Sequence, residues 1–375
     1  MLVNILILPD SFKGTLDSKT AGEVIENVAR RAFPDSNIAH FPVSDGGEGF
    51  LDMVAAMTTC EEVPIRILNA KLEKTVDSKI LIAGDCAYIE SALACGYSQR
   101  AIGANATNAS SYPLGQCIRE AIERGAKEIH IGLGGTITHD LGCGALAALG
   151  AEFRDQSGNA FIPNGSTLNQ ISSISKDNLI TNVSFTIYSD VKNTLLGAYG
   201  AARVFAKQKG ASDEEIEMLE RNSCDAAAIF AKAFGKDCST AISSGSAGGL
   251  GFAFISAFSA TVKSGSEFAL SSPVISKQLR QADLIITGEG KIDSQSKGGK
   301  LVGTLSEYAV AHNKKLLAIG GFIEKCSKDL LPEASWFLDL SSLHGKDYSM
   351  RNPHQAIEEG LGLLLSNIAG LSLHQ

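Results

Sequence analysis

Apolar runs and segments of helical spacing alternate along the first sixty residues. The predicted elements are a strand at residues 2–8, a helix at 18–31, a strand at 38–43 and a helix at 50–57. Asp17 or Ser18 is a suitable N-cap for the first of these helices. This order of elements is typical of a doubly wound α/β fold.

The same alternation returns near the end of the chain. The elements predicted there are a strand at 284–287, a helix at 302–312, a strand at 315–319 and a helix at 354–369. Strands joined through helices pair in parallel, so both chain ends are predicted to form one Rossmann-like or flavodoxin-like domain. Residues 1–62 and 273–375 are assigned to it.

The pattern changes in the middle of the chain. Between residues 63 and 90, short stretches in which apolar and polar residues alternate predict antiparallel strands. Further elements are predicted as strands at 128–131 and 183–188 and helices at 114–124, 144–149 and 212–234. Residues 63–272 are therefore predicted to be an inserted mixed α/β domain, with the active-site cleft between the two domains.

Composition and charge exclude several classes of partner. A net charge of −8 without a Lys/Arg block argues against nucleic acid and against an anionic membrane surface. No apolar stretch approaches the roughly 18 residues that a membrane-spanning helix needs. The eight cysteines show no C-x-x-C pair, and the N-terminus lacks signal-peptide features, so a cytoplasmic protein with reduced thiols is predicted. The expected partner is a small molecule, and a homo-oligomer is possible.

Five carboxylates follow predicted strands closely. They are Asp10, Asp45, Asp140, Asp190 and Glu289, and Asp293 lies four residues beyond Glu289. Side chains at the carboxyl ends of parallel strands converge on one crevice, where clustered acids are costly unless a cation shares the site. Mg²⁺ fits this pattern, whereas zinc would need Cys and His pairs that the spacing does not show. Each aspartate alone is equally compatible with a turn or a helix cap.

Two glycine-rich segments suit contact with phosphate. They are Gly132 to Thr136 and Gly288 to Gly290, each expected to be a loop that follows a strand and precedes a helix. Neither matches the P-loop or the dinucleotide fingerprint, and tight turns are an alternative interpretation. Lys13, Lys291, Lys297 and Lys300 lie in or beside such loops and supply countercharge. His139 is either functional or part of a turn.

Seven collinear motifs resemble the bacterial class I glycerate kinases over almost the whole chain. They are P-D-S-F-K at 9–13, S-D-G-G-E-G at 44–49, G-L-G-G-T-I-T-H-D-L-G-C-G at 132–144, S-D-V-K-N-T-L-L-G-A-Y-G-A at 189–201, F-A-K-Q-K-G-A at 205–211, S-A-G-G-L-G-F-A at 246–253 and D-L-I-I-T-G-E-G-K-I-D-S-Q-S-K-G-G-K at 283–300. The chain departs from the family's usual residues at His139, where asparagine is expected, and at Leu141, Lys192 and Pro113.

The resemblance implies an ATP-dependent, Mg²⁺-requiring phosphorylation of D-glycerate, typically at the 2-hydroxyl. Phosphoryl transfer needs neutralised phosphate charge and a carboxylate that takes the hydroxyl proton. Asp190 is assigned as this base, with Asp45 as the second choice. Lys13 and Lys300 are expected to neutralise phosphate or to hold the glycerate carboxylate.

The remaining site residues are expected to bind metal, substrate or nucleotide. Glu289 and Asp293 are the predicted metal ligands. The predicted substrate and nucleotide contacts are Asp10, Ser11, Gly46, Gly47, Gly132, Gly134, Gly135, Thr136, Asp140, Asn193, Gly288 and Gly290. The alternatives are a 3-phosphoglycerate-forming enzyme, a kinase of another small hydroxy acid, and a non-catalytic small-ligand sensor.

Overall fold

The computed structural model describes residues 3–293, 300–324 and 336–372. Within these ranges the strands are β1 (Asn4–Pro9), β2 (Asn37–His40), β3 (Glu61–Leu68), β4 (Thr75–Ala83), β5 (Cys86–Glu90), β6 (Glu128–Gly132), β7 (Glu152–Arg154), β8 (Ala160–Phe161), β9 (Ser173–Ser175), β10 (Ser184–Tyr188), β11 (Thr261–Lys263), β12 (Leu284–Ile292), β13 (Lys315–Ile323) and β14 (Trp336–Asp339).

The α-helices of the same ranges are α1 (Ser18–Ala32), α2 (Phe50–Met57), α3 (Ser91–Cys95), α4 (Tyr112–Glu123), α5 (Cys143–Ala148), α6 (Ala201–Phe205), α7 (Asp213–Phe234), α8 (Leu250–Phe258), α9 (Gly265–Ser271), α10 (Pro273–Gln281), α11 (Leu301–Ala311), α12 (Leu340–His344), α13 (Lys346–Arg351) and α14 (Pro353–Ser372). No helix among the described residues is long and apolar enough to cross a membrane.

The chain divides into two compact units. The first comprises Met1–Asp45, Asp52–Met57 and Gly265–Gln375, and the second comprises Gly46–Leu51 and Thr58–Ser264. The domain boundaries inferred from the sequence, after residues 62 and 272, stay a prediction.

All five strands in the sheet of the first unit are parallel, in the order β14-β13-β12-β1-β2. Counted within this unit, the order is the flavodoxin-like 2-1-3-4-5. The predicted α/β class, with both chain ends in one doubly wound sheet, is confirmed. The strand order reverses between β1 and β12, and ligands of such sheets bind beyond the carboxyl ends of the strands at this point.

Aliphatic side chains from the strands and from two helices form the core of the first unit. Ile7 of β1 and Leu317 of β13 pack with Ile25 of α1 and Leu361 of α14, and all four are fully buried. Burying one such side chain contributes about 1.5–3 kcal/mol. Asp17 caps α1 as predicted. The tightly packed strands give the loops at their carboxyl ends a rigid base.

The second unit contains a six-stranded mixed sheet in the order β11-β10-β6-β5-β4-β3. The first four strands of this order are parallel, and β4 and β3 continue the sheet in antiparallel pairing, which confirms the antiparallel strands predicted between residues 63 and 90. Successive side chains point to opposite faces of a strand. Ile129 and Ile131 of β6 therefore join the core, while His130 lies on the other, partly exposed face.

The longest helix of the second unit, α7, begins with the cap that the sequence predicts. The Ser212 hydroxyl accepts the N–H of Glu215, and the Glu215 carboxylate accepts the N–H of Ser212. This reciprocal capping satisfies two N–H groups that the helix leaves unpaired. Leu219 and Phe230 on the inner face of α7 are fully buried.

One of the two predicted glycine loops differs in the structure. Residues Gly288 to Gly290 are expected to follow a strand, but β12 continues through them to Ile292 because β13 pairs with it along this length. The glycine segment at 132–136 is not part of a helix or strand beyond Gly132, and Thr136 forms an isolated bridge with Gly96. The next helix, α5, begins at Cys143, one residue before the helix predicted at 144–149.

Candidate active site

Three carboxylates lie at the switch point in the sheet of the first unit. Asp10 follows β1, and its N–H donates to the C=O of Gly288 in β12 (2.9 Å). The chain beyond β2 stays beside β1, where the N–H of Val43 donates to the last residue of β1 (3.0 Å), and Asp45 follows. Glu289 lies in β12, and both it and Asp10 are 8% exposed. The structure therefore brings three predicted site acids to one edge.

We call the edge formed by Asp10, Asp45 and Glu289 the acidic edge. The ammonium of Lys13 lies 2.9 Å from a carboxylate oxygen of Asp45. Burial raises the pKa of Asp10 well above its usual value, and the neighbouring Asp45 raises it further. The pKa of Lys13 is also raised, chiefly by Asp45. Three neighbouring carboxylates supply the oxygen ligands that a divalent cation prefers.

Gly288 and Gly290 of β12 are required because the segment 10–13 packs closely against the strand at these positions. A β-carbon at Gly288 would lie 2.9 Å from the ring of Phe12, and one at Gly290 would lie 3.1 Å from the backbone nitrogen of Lys13. Their absence lets the segment 10–13 lie against the strand. Within that segment the N–H of Ser11 donates to the Asp10 carboxylate (2.6 Å). The predicted phosphate contact of these two glycines stays a prediction.

The end of the same motif contains a further ion pair. The ammonium of Lys291 lies 2.9 Å from the Asp293 carboxylate, directly after the end of β12. Lys300 occupies the N-cap position of α11. Residues 294–299, which include Lys297, lie outside the described residues. The metal role of Asp293 and the substrate role of Lys300 remain predictions.

In the second unit, two glycine loops interlock. A β-carbon at Gly134 would lie 2.6 Å from the Cα of Gly47, and one at Gly132 would lie 2.7 Å from the C=O of Gly46. Gly46 itself has a φ of +98°, and a side chain there would overlap the C=O of Tyr188. Glycine is the residue that accepts this conformation and this approach. The structure thus brings the predicted glycines 46, 47, 132 and 134 together.

Two adjacent N–H groups of the glycine loop at 132–136 have no hydrogen-bond acceptor in the part of the chain that the structure describes, and the second of them belongs to Thr136, which is 1% exposed. The N–H groups of Leu133 and Gly134 already donate inside the protein, the latter to the hydroxyl of Ser91 (3.2 Å). Those of Gly135 and Thr136 donate no hydrogen bond to any residue that the structure describes. Successive backbone N–H groups are a common anion site. The predicted phosphate contact therefore rests on this pair rather than on the whole loop.

A buried lysine lies beneath these N–H groups. The ammonium of Lys209, a residue that is 3% exposed, donates to the C=O of Thr138 (2.8 Å) and to the hydroxyl of Thr136 (3.3 Å). Burial lowers the pKa of Lys209 to about 8. A lysine ammonium is costly to bury, and this one lies next to the loop for which phosphate contact is predicted.

Sequence reasoning missed Lys209. The signal was present, because the motif F-A-K-Q-K-G-A contains two lysines, but nothing in the spacing distinguishes them. In the structure Lys207 is exposed and pairs with Asp213 (2.7 Å), whereas Lys209 is buried. Only the fold separates the two.

Asp190 lies beside the glycine loop. It follows β10, whose last residue, Tyr188, pairs with Gly132 and accepts the N–H of Leu133 (2.9 Å). The Asp190 side chain is partly exposed. A short distance along the chain, Asn193 donates its amide N–H to the C=O of Tyr199 (2.7 Å), which orders the loop after β10. The backbone therefore brings the start of the Asp190 segment next to the glycine loop, and the role of Asp190 as the base stays a prediction.

Asp140 has a different environment from the other acids. Its carboxylate accepts the N–H and the hydroxyl of Ser111 (2.7 and 2.8 Å) and the N–H groups of Gly142 (3.1 Å) and Gly144 (3.2 Å). The residue has no exposed surface, and burial raises its pKa. These hydrogen bonds tie α4 to α5. The predicted substrate or nucleotide contact of Asp140 stays a prediction.

His139 is equally buried and has one unpaired ring nitrogen. Its Nε2 lies 3.1 Å from the hydroxyl of Ser223, while Nδ1 has no hydrogen-bond partner among the described residues. Burial, and then the charge of Lys209, lower the pKa of His139 to about 3. The ring is therefore neutral at physiological pH, and it takes no part in proton transfer with solvent.

Replacing His139 by asparagine should flatten the acid limb of the stability profile. Below pH 6.5 the His139 imidazole takes up a proton in the unfolded state, whereas in the folded state it stays neutral down to about pH 3. The free energy of unfolding therefore falls as the pH falls through this range. The decrease in the free energy of unfolding between pH 7 and pH 5 should be smaller by about 2 kcal/mol in His139→Asn than in the unmutated protein. Urea unfolding at both pH values measures this decrease. His354→Asn, at an exposed site, is the control, and equal slopes in all three proteins would contradict the assignment.

Comparison with known proteins shows similarity over most of the chain. The chain is 35% identical to the glycerate 2-kinase of Escherichia coli K12 over 325 residues, which cover 85% of each chain. It is 33% identical to the glycerate kinase of Bacillus subtilis 168 over 331 residues, 87% of this chain and 86% of the other.

A solved structure has the same fold. The crystal structure of a Salmonella typhimurium LT2 protein, described as a glycerate kinase 2, matches 99% of this chain and 98% of its own with a TM-score of 0.77 and 30% identity. The sequence model of the glycerate kinase family matches residues 5–369. With a match of this extent, the chain belongs to the glycerate kinase family.

Proposed function

We propose that this protein is an ATP-dependent kinase that phosphorylates the 2-hydroxyl of D-glycerate and releases 2-phosphoglycerate and ADP. Membership of the glycerate kinase family implies ATP as the phosphoryl donor and a small alcohol as the acceptor. The position of the hydroxyl is supported by the E. coli relative, which is named a glycerate 2-kinase.

The observation that carries the chemistry is the position of Asp190 beside the loop that holds Gly135 and Thr136. The acceptor hydroxyl must lose a proton as it attacks the γ-phosphorus, and a carboxylate two residues beyond the strand that flanks the loop is suited to take it. The two N–H groups of the loop bind phosphate oxygens. Lys209 adds positive charge from below and fixes the loop through Thr136 and Thr138.

Mg²⁺ fits the acidic edge of the first unit. Mg²⁺ takes one or two carboxylates together with phosphate oxygens and water, and the edge brings three carboxylates close together. Glu289, with Asp10 or Asp45, would hold the ion, and Asp293 of the sequence prediction remains a further ligand. Lys13 and Lys300 remain the proposed partners of the glycerate carboxylate.

A coupled ADP-release assay tests the proposal. Purified protein is supplied with ATP and Mg²⁺ and with D-glycerate, tartronate, lactate or tartrate in separate reactions. Turnover should be fastest with D-glycerate. Phosphorus-coupled proton NMR of the product should place the phosphate on the carbon that bears one hydrogen. Coupling to the two hydrogens of the terminal carbon would make the enzyme a 3-phosphoglycerate producer.

Two further outcomes separate the alternatives. Faster turnover of another hydroxy acid would reassign the substrate. No turnover, combined with thermal stabilisation by D-glycerate, would indicate a ligand sensor. The cytoplasmic location and a homo-oligomeric state stay predictions from the sequence.

A further inference from the structure

Three metal-ligating side chains lie together on the polar face of the mixed sheet in the second unit. Cys86 is the first residue of β5 and Glu128 is the first residue of β6, and the two are register partners. His130 lies two residues beyond Glu128, so its side chain points to the same face. We call this group the Cys86 cluster.

The distances within the Cys86 cluster are close to those around a single metal ion. The Cys86 sulfur lies 3.9 Å from a carboxylate oxygen of Glu128, and the same oxygen lies 3.8 Å from Nε2 of His130. All three ligand atoms lie within 4.8 Å of one another. Tetrahedral zinc, with bonds of about 2.0–2.3 Å, holds its ligand atoms roughly 3.3–3.8 Å apart. Small side-chain rotations would therefore complete the geometry.

The imidazole of His130 is held in place. Its Nδ1 lies 3.0 Å from the hydroxyl of Tyr188, and its ring stacks on Tyr88 with 4.8 Å between centroids. A metal-ligating histidine is usually oriented by a hydrogen bond at its other ring nitrogen, which leaves the first nitrogen for the metal. Here the nitrogen left over, Nε2, is the one that points toward Glu128.

Burial and charge suit a small cation with an open coordination position. The His130 side chain is 13% exposed, whereas that of Glu128 is 59% exposed, so the cluster is ordered on one side and open to solvent on the other. A thiolate and a carboxylate together balance a doubly charged ion. Lys263 opposes cation binding, since its charge acts on His130. Asp85, next to Cys86, acts in the opposite sense.

We propose that Cys86, Glu128 and His130 form a binding site for a transition-metal ion of the zinc class, with water at the fourth position. The thiolate of Cys86 is a soft ligand and the imidazole of His130 is a borderline one, whereas the acidic edge offers only oxygen ligands. The two sites should therefore select different metals. Binding forms a metal–sulfur bond and breaks the S–H bond, and the proton passes to solvent. Affinity should therefore rise with pH.

The Cys86 cluster could not be found from sequence spacing. The sequence shows no Cys and His pair at zinc-like intervals, yet pairing of β5 with β6 brings together Cys86 and His130, which are 44 positions apart in the numbering. Parallel neighbours joined by a helix are far apart in sequence by necessity. Such a ligand set is invisible before the sheet is known.

Zinc titration of the full chain, stripped with a chelator and containing no added histidine tag, tests the proposal. Competition against a chromophoric chelator in the presence of millimolar Mg²⁺ should show that one zinc ion binds tightly to each chain. Cys86→Ser and His130→Gln should each weaken it at least tenfold. Cys224→Ser, which removes an exposed cysteine on α7, should leave it unchanged.

Two measurements on the unmutated protein do not depend on how the variants fold. Cobalt in place of zinc should give a thiolate-to-metal charge-transfer band, and zinc should slow alkylation of Cys86 at least tenfold without slowing that of Cys224. The proposal is overturned if the protein binds no zinc, or if Cys224→Ser weakens zinc binding as much as Cys86→Ser does. It is also overturned if zinc does not change the rate of Cys86 alkylation. None of these readouts depends on kinase activity.

Discussion

The variant Asp190→Asn is expected to lower kcat for phosphorylation of D-glycerate by a factor of roughly 10² to 10⁴. Asparagine keeps the shape of the side chain and its capacity to accept one hydrogen bond, but it cannot take a proton. The acceptor hydroxyl would then attack without a base. Because ground-state binding does not require that proton transfer, KM for ATP should change by less than threefold. Steady-state kinetics of purified protein measure both constants.

Asp225→Asn is the matched control for this experiment. Asp225 lies on the exposed face of α7, so the same chemical change there should leave kcat and thermal stability as they are. A kcat of Asp190→Asn within threefold of the unmutated value would remove Asp190 from the role of base. Asp45→Asn would then be the next variant to test. An equal loss of kcat in the control would show that the assay reports folding rather than chemistry.

Replacing Lys209 by methionine should reduce kcat/KM by roughly 100-fold, the second largest effect expected. Methionine keeps much of the buried volume but removes the charge next to the N–H groups that we propose bind phosphate. It also leaves the C=O of Thr138 and the hydroxyl of Thr136 without their donor. Unpaired buried groups of this kind cost about 1–3 kcal/mol each, so thermal unfolding should be measured alongside the kinetics.

The dependence of kcat/KM on pH distinguishes the contribution of the Lys209 charge from that of its packing. Since burial lowers the pKa of Lys209 to about 8, the ammonium loses its proton within the measurable range, and kcat/KM of the unmutated enzyme should fall above that pH. The methionine variant should lack this inflection. Lys209→Arg should restore part of the activity and keep it at high pH, because a guanidinium does not lose its proton there.

Lys207→Met provides the control two residues away. Lys207 pairs with Asp213 at the surface, so its replacement should change neither kcat/KM nor the pH profile. If Lys209→Met retained the alkaline inflection, another group would be responsible for it. If its loss of activity were matched by unfolding at the assay temperature, Lys209 would be a structural residue only.

The fold was predictable because period and turn chemistry act locally. The apolar runs at 2–8 and 284–287 and the cap at Ser212 specify strands and a helix without reference to the rest of the chain. The extension of β12 to Ile292 was not predictable, since glycine and lysine are poor strand formers and only pairing with β13 overrides that preference. Local propensity does not predict a strand where hydrogen bonds to a neighbouring strand stabilise it.

The site was predictable in part for a similar reason. Carboxylates such as Asp10 and Asp45 follow strands directly, and parallel strands bring such residues to one edge. The burial of Asp140 and Lys209 depends on helices that pack from distant parts of the sequence, so their exposure could not be inferred. Charge and spacing made Asp140 a candidate contact residue and gave no reason to single out Lys209.

The interlocking of Gly134 with Gly47 limits how this enzyme can be redesigned. Each loop occupies the space that a side chain on the other would need, so neither can be exchanged alone for the loop of a relative that carries a larger residue there. A graft intended to change nucleotide or substrate preference would have to carry residues 46–49 and 132–136 together. Selection acting on the chain faces the same constraint, and substitutions in the two loops should be acquired as pairs.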